Sequence, residues 1–84
     1  MTFRADIAND GVCFEVEADG QTYRGTLTIE ALQNHFNFSS NEVTQAERFC
    51  SLHPDEVEEE IRKALRRHPP WGHDNILILP HHMR

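Results

Sequence analysis

The chain has 84 residues, 38% of them hydrophobic, with fourteen acids against eight bases for a net charge of −6. That length makes one domain, residues 1–84, burying roughly 60–65% of its unfolded surface. The acidic balance argues against unspecific nucleic-acid binding, which rests on phosphate neutralisation. No run of about 18 apolar residues and no charged–apolar–small N-terminal pattern is present, so the sequence points to no membrane span and to a cytoplasmic protein.

The first third alternates with period two. In "TFRADIA", Phe3, Ala5 and Ile7 alternate with Thr2, Arg4 and Asp6. In "VCFEVE", Val12, Phe14 and Val16 share one face, and Cys13, Glu15 and Glu17 the other. In "QTYRGTLTI", Tyr23, Gly25, Leu27 and Ile29 alternate with Thr22, Arg24, Thr26 and Thr28. A polar partner face marks half-buried antiparallel strands. "NDG" (9–11) and "ADG" (18–20) place glycine where a hairpin requires positive φ. The expectation is a three-stranded meander with one wet face.

Three helices follow. Thr28 is positioned to cap a helix over 29–36 with Ala31, Leu32 and Phe36 on one stripe. Ser39 followed by Glu42 fits a capping box, opening a helix through about residue 52 with Val43, Ala46, Phe49 and Cys50 inward. Pro54 suits a first helical turn, and a third helix runs to about residue 67 with Val57, Ile61, Ala64 and Leu65 inward. "HPPWG" (68–72) stops it, since proline cannot continue the hydrogen-bond ladder. "NILIL" (75–79) reads as a short strand buried on both faces. That conflicts with a wet sheet face. One reading covers the strand with another chain, the other with the Trp71 loop. A mobile tail, residues 80–84, closes the chain.

The fold class is therefore α+β in two layers, order β-β-β-α-α-α-β. An antiparallel sheet, the meander plus a C-terminal strand, packs on two to three helices. The expected core is Phe14, Val16, Leu27, Leu32, Phe36, Phe49, Val57, Ile61 and Leu65.

The order of these features resembles a small bacterial family, domain of unknown function 1488. The carrying residues are Val12, Phe14, Val16 and Gly20, then "LTIEALQNHF" (27–36), Phe49, His53 and Val57, and the tail "LILPHHMR" (77–84). Pro54 and "PPWGHD" (69–74) depart from the pattern. The resemblance implies this fold and native rather than tag histidines. It implies no activity.

Four kinds of chemistry compete. Cys50 and His53 are three apart, and His73, His81 and His82 are the further candidates to complete a tetrahedral metal site. This is half a motif, and His81 and His82, adjacent in an extended tail, point to opposite faces. Two cysteines in a small chain are more often packed thiols than a disulfide framework. Arg62, Lys63, Arg66, Arg67 and His68, with Trp71 nearby, resemble a nucleic-acid grip. Against that, the "DEVEEE" start and "RKALRRH" end complement the helix dipole, and Glu58–Arg62 and Glu59–Lys63 are i,i+4 pairs that neutralise the patch. For catalysis there is no phosphate loop and no nucleophile elbow. A domain this small also leaves little room for a pocket of about 300 Å3. No catalytic residue and no cofactor is assigned. Interaction is the reading favoured here. Ile76, Leu77, Ile78, Leu79 and Trp71 give an apolar stripe and a strand edge for a protein partner or a second copy, a homodimer being the commonest form.

Overall fold

The computed structural model describes residues 3–84. Its order is β1 (Arg4–Asp6), β2 (Gly11–Ala18), β3 (Gln21–Thr28), α1 (Ile29–Phe36), α2 (Val43–Leu52), α3 (Pro54–Arg67) and β4 (Ile76–Ile78). A 3-10 turn over Pro80–Met83 ends the chain. The α+β architecture and the β-β-β-α-α-α-β order agree with the sequence reading.

The meander forms in register, with Val12 opposite Leu27, Phe14 opposite Gly25 and Val16 opposite Tyr23. The Asp19–Gly20 turn takes positive φ at both residues, 54° and 79°, the geometry that matches the strands' own twist. At the first turn Asp10, not Gly11, adopts positive φ, 51°. Gly11 is instead a buried strand residue. A Cβ there would lie 2.4 Å from the Leu27 carbonyl oxygen. β1 is also shorter than the alternation suggests. Ile7 has left the strand and is 83% exposed, and Thr2 lies outside the described residues.

The sheet is mixed, which corrects the antiparallel expectation. Its order is β1-β2-β3-β4, and β4 runs parallel to β3 with Gly25 opposite Ile76 and Leu27 opposite Ile78. A parallel neighbour requires a crossover, usually helical. Three helices supply it by returning the chain to the end of the sheet where β3 begins. β4 is not buried on both faces either. Ile78 points inward at 2% exposure and Leu77 outward at 43%.

Inside, Val12, Phe14, Val16, Leu27 and Ile78 meet Leu32, Ala46, Cys50, Val57, Ile61 and Leu65. Phe36 and Phe49, expected in the core, are half-buried against it, with their rings 5.8 Å apart. Thr28 caps α1 as its position suggests. Its hydroxyl accepts from the Ala31 N–H (3.3 Å) and donates to the Ile78 carbonyl (2.8 Å). One buried side chain thus ties the first helix to the last strand. The Ser39–Glu42 capping box does not form. Glu42 is itself the N-cap, without a side-chain bond. Its N–H donates to Ser40 Oγ at 3.0 Å, and the Gln33 amide donates to Ser40 O and Asn41 Oδ1 (3.0 and 2.7 Å). α3 starts with Pro54 in its first turn and carries acids first and bases last, as the helix dipole favours.

The tail, expected to be mobile, packs against the domain as a 3-10 turn. Met83 is buried at 2%, and its carbonyl accepts from Arg67 Nη1 at 3.1 Å. The turn is closed from within by His82 Nδ1, which accepts from the Leu79 N–H at 2.9 Å. A lone methionine at the end of a polar tail carries no periodicity, so no pattern in the sequence announces its burial.

Candidate functional site

The metal candidates are scattered. Cys50 lies fully buried in the core, where burial first, then the Glu47 charge, push its thiol up to about 12. The His53 ring rests on Phe49 with centroids 4.9 Å apart, between α2 and α3. The His73 ring meets Tyr23 edge-on at 5.0 Å, and its carbonyl accepts from the Arg24 N–H at 2.7 Å. His81 sits in the C-terminal turn. Among the described residues no group of three or more His, Cys, Asp or Glu is arranged to hold a metal ion. Cys50 and His53 share a helix end, but one faces the core and the other its rim.

The thiol has a direct test. A group with a pKa of about 12 is thiolate in only about one molecule in ten thousand at pH 8. In a Cys13→Ser variant, Cys50 should react with a disulfide reagent only as fast as the domain unfolds. Rapid labelling of the native variant would show that the helix layer is open.

The basic end of α3 is largely spoken for. Arg62 pairs with Glu58 and, at 3.7 Å, with Glu59, and its Nε donates to the Glu17 carbonyl at 2.8 Å. Lys63 pairs with Glu60 at 3.0 Å, not with Glu59 as the i,i+4 spacing suggests. Glu60 is shared with His35 Nε2 at 2.6 Å. Its carboxyl lies below the usual carboxylate range because the Lys63 and His35 hydrogen bonds together outweigh burial, the largest single effect. Arg67 holds the Met83 carbonyl. Arg66 is exposed.

The wet sheet face carries a row Arg4–Cys13–Thr26–Leu77 across the four strands. Asp6 accepts from the Thr26 hydroxyl (2.5 Å) and the Asn9 amide (2.9 Å), bonds that hold its carboxyl below the usual range. Arg24 bridges Glu15 at 2.9 Å and Asp74 at 3.5 Å. Burial and the neighbouring Asp6 raise the Cys13 thiol. The depression over these groups measures about 770 Å3, so the small domain has more surface relief than its length suggests. Within it Asp6 is paired with Thr26 and Asn9, and Arg24 with Glu15 and Asp74.

The apolar stripe divides between two environments. Ile78 is core, Ile76 and Leu79 are half-buried, and Leu77 and Trp71 are exposed. The Trp71 loop does not fold over the wet face, because the indole is fully exposed. β4 is the last strand of the sheet. The Ile78 carbonyl turns back to meet the Thr28 hydroxyl. Backbone groups alternate along a strand, so the Leu77 N–H and C=O face the open edge. Between that edge and the end of α3 runs a groove of about 620 Å3, with Leu65, Ile78 and Trp71 among its walls.

No family model, curated protein or solved structure matches this chain.

Sequence reasoning missed one cluster. The His68, His81 and His82 rings converge, with centroids 4.1 Å apart for His81–His82, 5.2 Å for His68–His82 and 6.2 Å for His68–His81. The adjacent pair does not splay, because the tail is a 3-10 turn rather than an extended segment. His82 titrates below the usual imidazole range, first through burial and then through the charges of His81 and His68. The only signal was a histidine at each end of the segment 68–82, and that spacing is legible only once the tail is known to return to α3.

Proposed function

We propose that the chain is a small, non-enzymatic interaction module of the bacterial cytoplasm, binding another protein or a second copy of itself through the β4 edge. The resemblance to domain of unknown function 1488 belongs to the same proposal. The observation that carries the reading is the pairing of a fully exposed Trp71 with an outward Leu77 on an unpaired strand edge. Exposed apolar groups gathered at one place mark partner surfaces, and an open edge supplies backbone groups for pairing. Among the described residues no helix is long and apolar enough to cross a membrane.

Native mass spectrometry of untagged protein, purified without a nickel column, tests the reading. A mass that is a whole multiple of the bare chain is expected. A dimer that Leu77→Asp converts to monomer identifies self-association through this edge. A bare monomer turns the reading to a different protein as partner. A monomer carrying one zinc-sized increment, lost with Cys50→Ser, overturns the reading in favour of a metal domain.

A further inference from the structure

The C-terminal turn is closed by a histidine in a way that only the neutral imidazole can maintain. Two bonds join Leu79 to His82. The His82 N–H donates to the Leu79 carbonyl at 3.0 Å, and the Leu79 N–H donates to His82 Nδ1 at 2.9 Å. The second bond needs the lone pair of Nδ1, which places the ring's one proton on Nε2. An imidazolium carries a proton on each nitrogen and can accept from neither. Protonation in place would therefore set Nδ1–H against the Leu79 N–H, donor to donor, where both residues are half-buried. The next residue is Met83, whose side chain belongs to the core.

The surroundings of His82 offer nothing to a positive charge. The turn packs on α3 and α1. From α3 come His68, its ring 5.2 Å from His82, and the cation Arg67, which lines the same groove. From the turn itself comes His81, at 4.1 Å. The titratable side chains of α1 are Glu30, in its first turn, and His35, which Glu60 holds at 2.6 Å. β4 has none, and the loop before it supplies Asp74, which faces Arg24 at 3.5 Å. Among the described residues no ion pair reaches His68, His81 or His82, and no three such groups are arranged to hold a metal ion. Two attachments of the turn do not titrate near neutrality. These are the burial of Met83 and the bond from Arg67 Nη1 to its carbonyl.

We propose that the C-terminal turn is a pH-sensitive strap, in which protonation of His82 breaks its bond to Leu79 and lifts Met83 out of the core. Release uncovers the apolar seat that the turn otherwise closes against α1 and α3. The direction follows from linkage. A released, hydrated His82 titrates near the ordinary imidazole value of about 6.5. The seated ring binds its proton more weakly, through burial first and then the charges of His81 and His68. Proton uptake thus favours release. Seating is complete above about pH 6.5 and is lost as pH falls from there through the lower value of the seated ring. The inference stands apart from the interaction reading of the β4 edge.

Nuclear magnetic resonance of the untagged full chain, labelled in its methionine methyls and histidine nitrogens, tests this between about pH 7.5 and pH 5. At the upper end His82 should be the Nε2–H tautomer, with the Met83 methyl displaced from the free-methionine position. On acidification that methyl should lose its displacement with the midpoint at which His82 protonates, while amides bonded between β2 and β3 stay protected. His82→Asn places a non-titrating oxygen acceptor where Nδ1 lies, and should keep Met83 seated to pH 5. His53→Gln, between α2 and α3, should leave the wild-type midpoint unchanged. An Nδ1–H tautomer at pH 7.5, or a Met83 methyl that keeps its place while His82 titrates, overturns the inference. So does release of Met83 in His82→Asn at the wild-type midpoint. Loss of β2–β3 protection together with Met83 overturns it too, as unfolding of the whole domain. Should His82→Asn leave Met83 unseated at pH 7.5, the wild-type tautomer and the match of the two midpoints decide.

Discussion

Ile78→Asp should unfold the domain, and Leu77→Asp, one residue away, should leave it folded. The two side chains leave the same short strand in opposite directions, as strand geometry dictates. Ile78 sits at 2% exposure opposite Leu27, and Leu77 at 43% opposite Thr26. Burying a carboxylate with no partner costs several kcal/mol even after the group neutralises itself by protonation. Removing the isoleucine forfeits roughly 2–3 kcal/mol more of apolar burial. A domain this small is stable by only about 5–10 kcal/mol, so the sum reaches the whole margin. At Leu77 the new carboxylate stays hydrated, and exposed substitutions of this kind stay within about 0.5 kcal/mol, with up to about 1 kcal/mol for the poor strand propensity of aspartate. Chemical denaturation followed by circular dichroism checks both. If Leu77→Asp also unfolds the protein, the outer side of β4 is buried in solution, and the chain folds only as an assembly through that face. If Ile78→Asp is tolerated, β4 is not part of the core.

What could be read from the sequence follows from the range of the physics. Thr28 caps α1, Pro54 opens α3 and the charges of α3 run from acid to base because each acts within one helical turn. The alternation in β2 and β3 is equally local, since one wet face writes itself residue by residue. The direction of β4 is not local. "NILIL" is too short to show a period, and its neighbour is decided by the forty-odd intervening residues that carry the chain across the sheet. The same limit applies to the site. Trp71 and the apolar stripe were visible as residue types, yet only the fold assigns Ile78 to the core and Leu77 to the edge. The imidazole cluster was hidden for the same reason, because His68 meets His81 and His82 only after Met83 finds its pocket. Misreadings within local reach had local causes. Asp10 accepts the left-handed conformation, as short polar side chains do, freeing Gly11 for the close approach to Leu27.

Gly25→Ala should be among the most damaging single-methyl additions in the protein, although its conformation is one any residue adopts. A Cβ built there lies 2.0 Å from the Ile76 carbonyl oxygen and 2.7 Å from its carbonyl carbon. Both are backbone atoms, so no rotamer change relieves the contact. β4 must move off β3. That movement withdraws Ile78 from the core and strains the Thr28 hydroxyl bond to its carbonyl, the link between α1 and β4. Overpacking costs typically 1–3 kcal/mol. With the partial loss of one buried aliphatic added, about 3 kcal/mol is expected, a fall in melting temperature of roughly 12–24 °C for a domain of this size. Gly72→Ala is the control. Nothing lies within 4 Å of a Cβ at that position, and the change should be neutral within about 0.5 kcal/mol. Amide exchange adds resolution. In Gly25→Ala the Arg24 amide, which donates to the His73 carbonyl, should lose protection, while amides bonded between β2 and β3 keep theirs relative to the global stability. Equal melting temperatures for the two variants would mean that β4 does not rest on Gly25. In that case the parallel pairing, the inward Ile78 and the groove built on them all fail together.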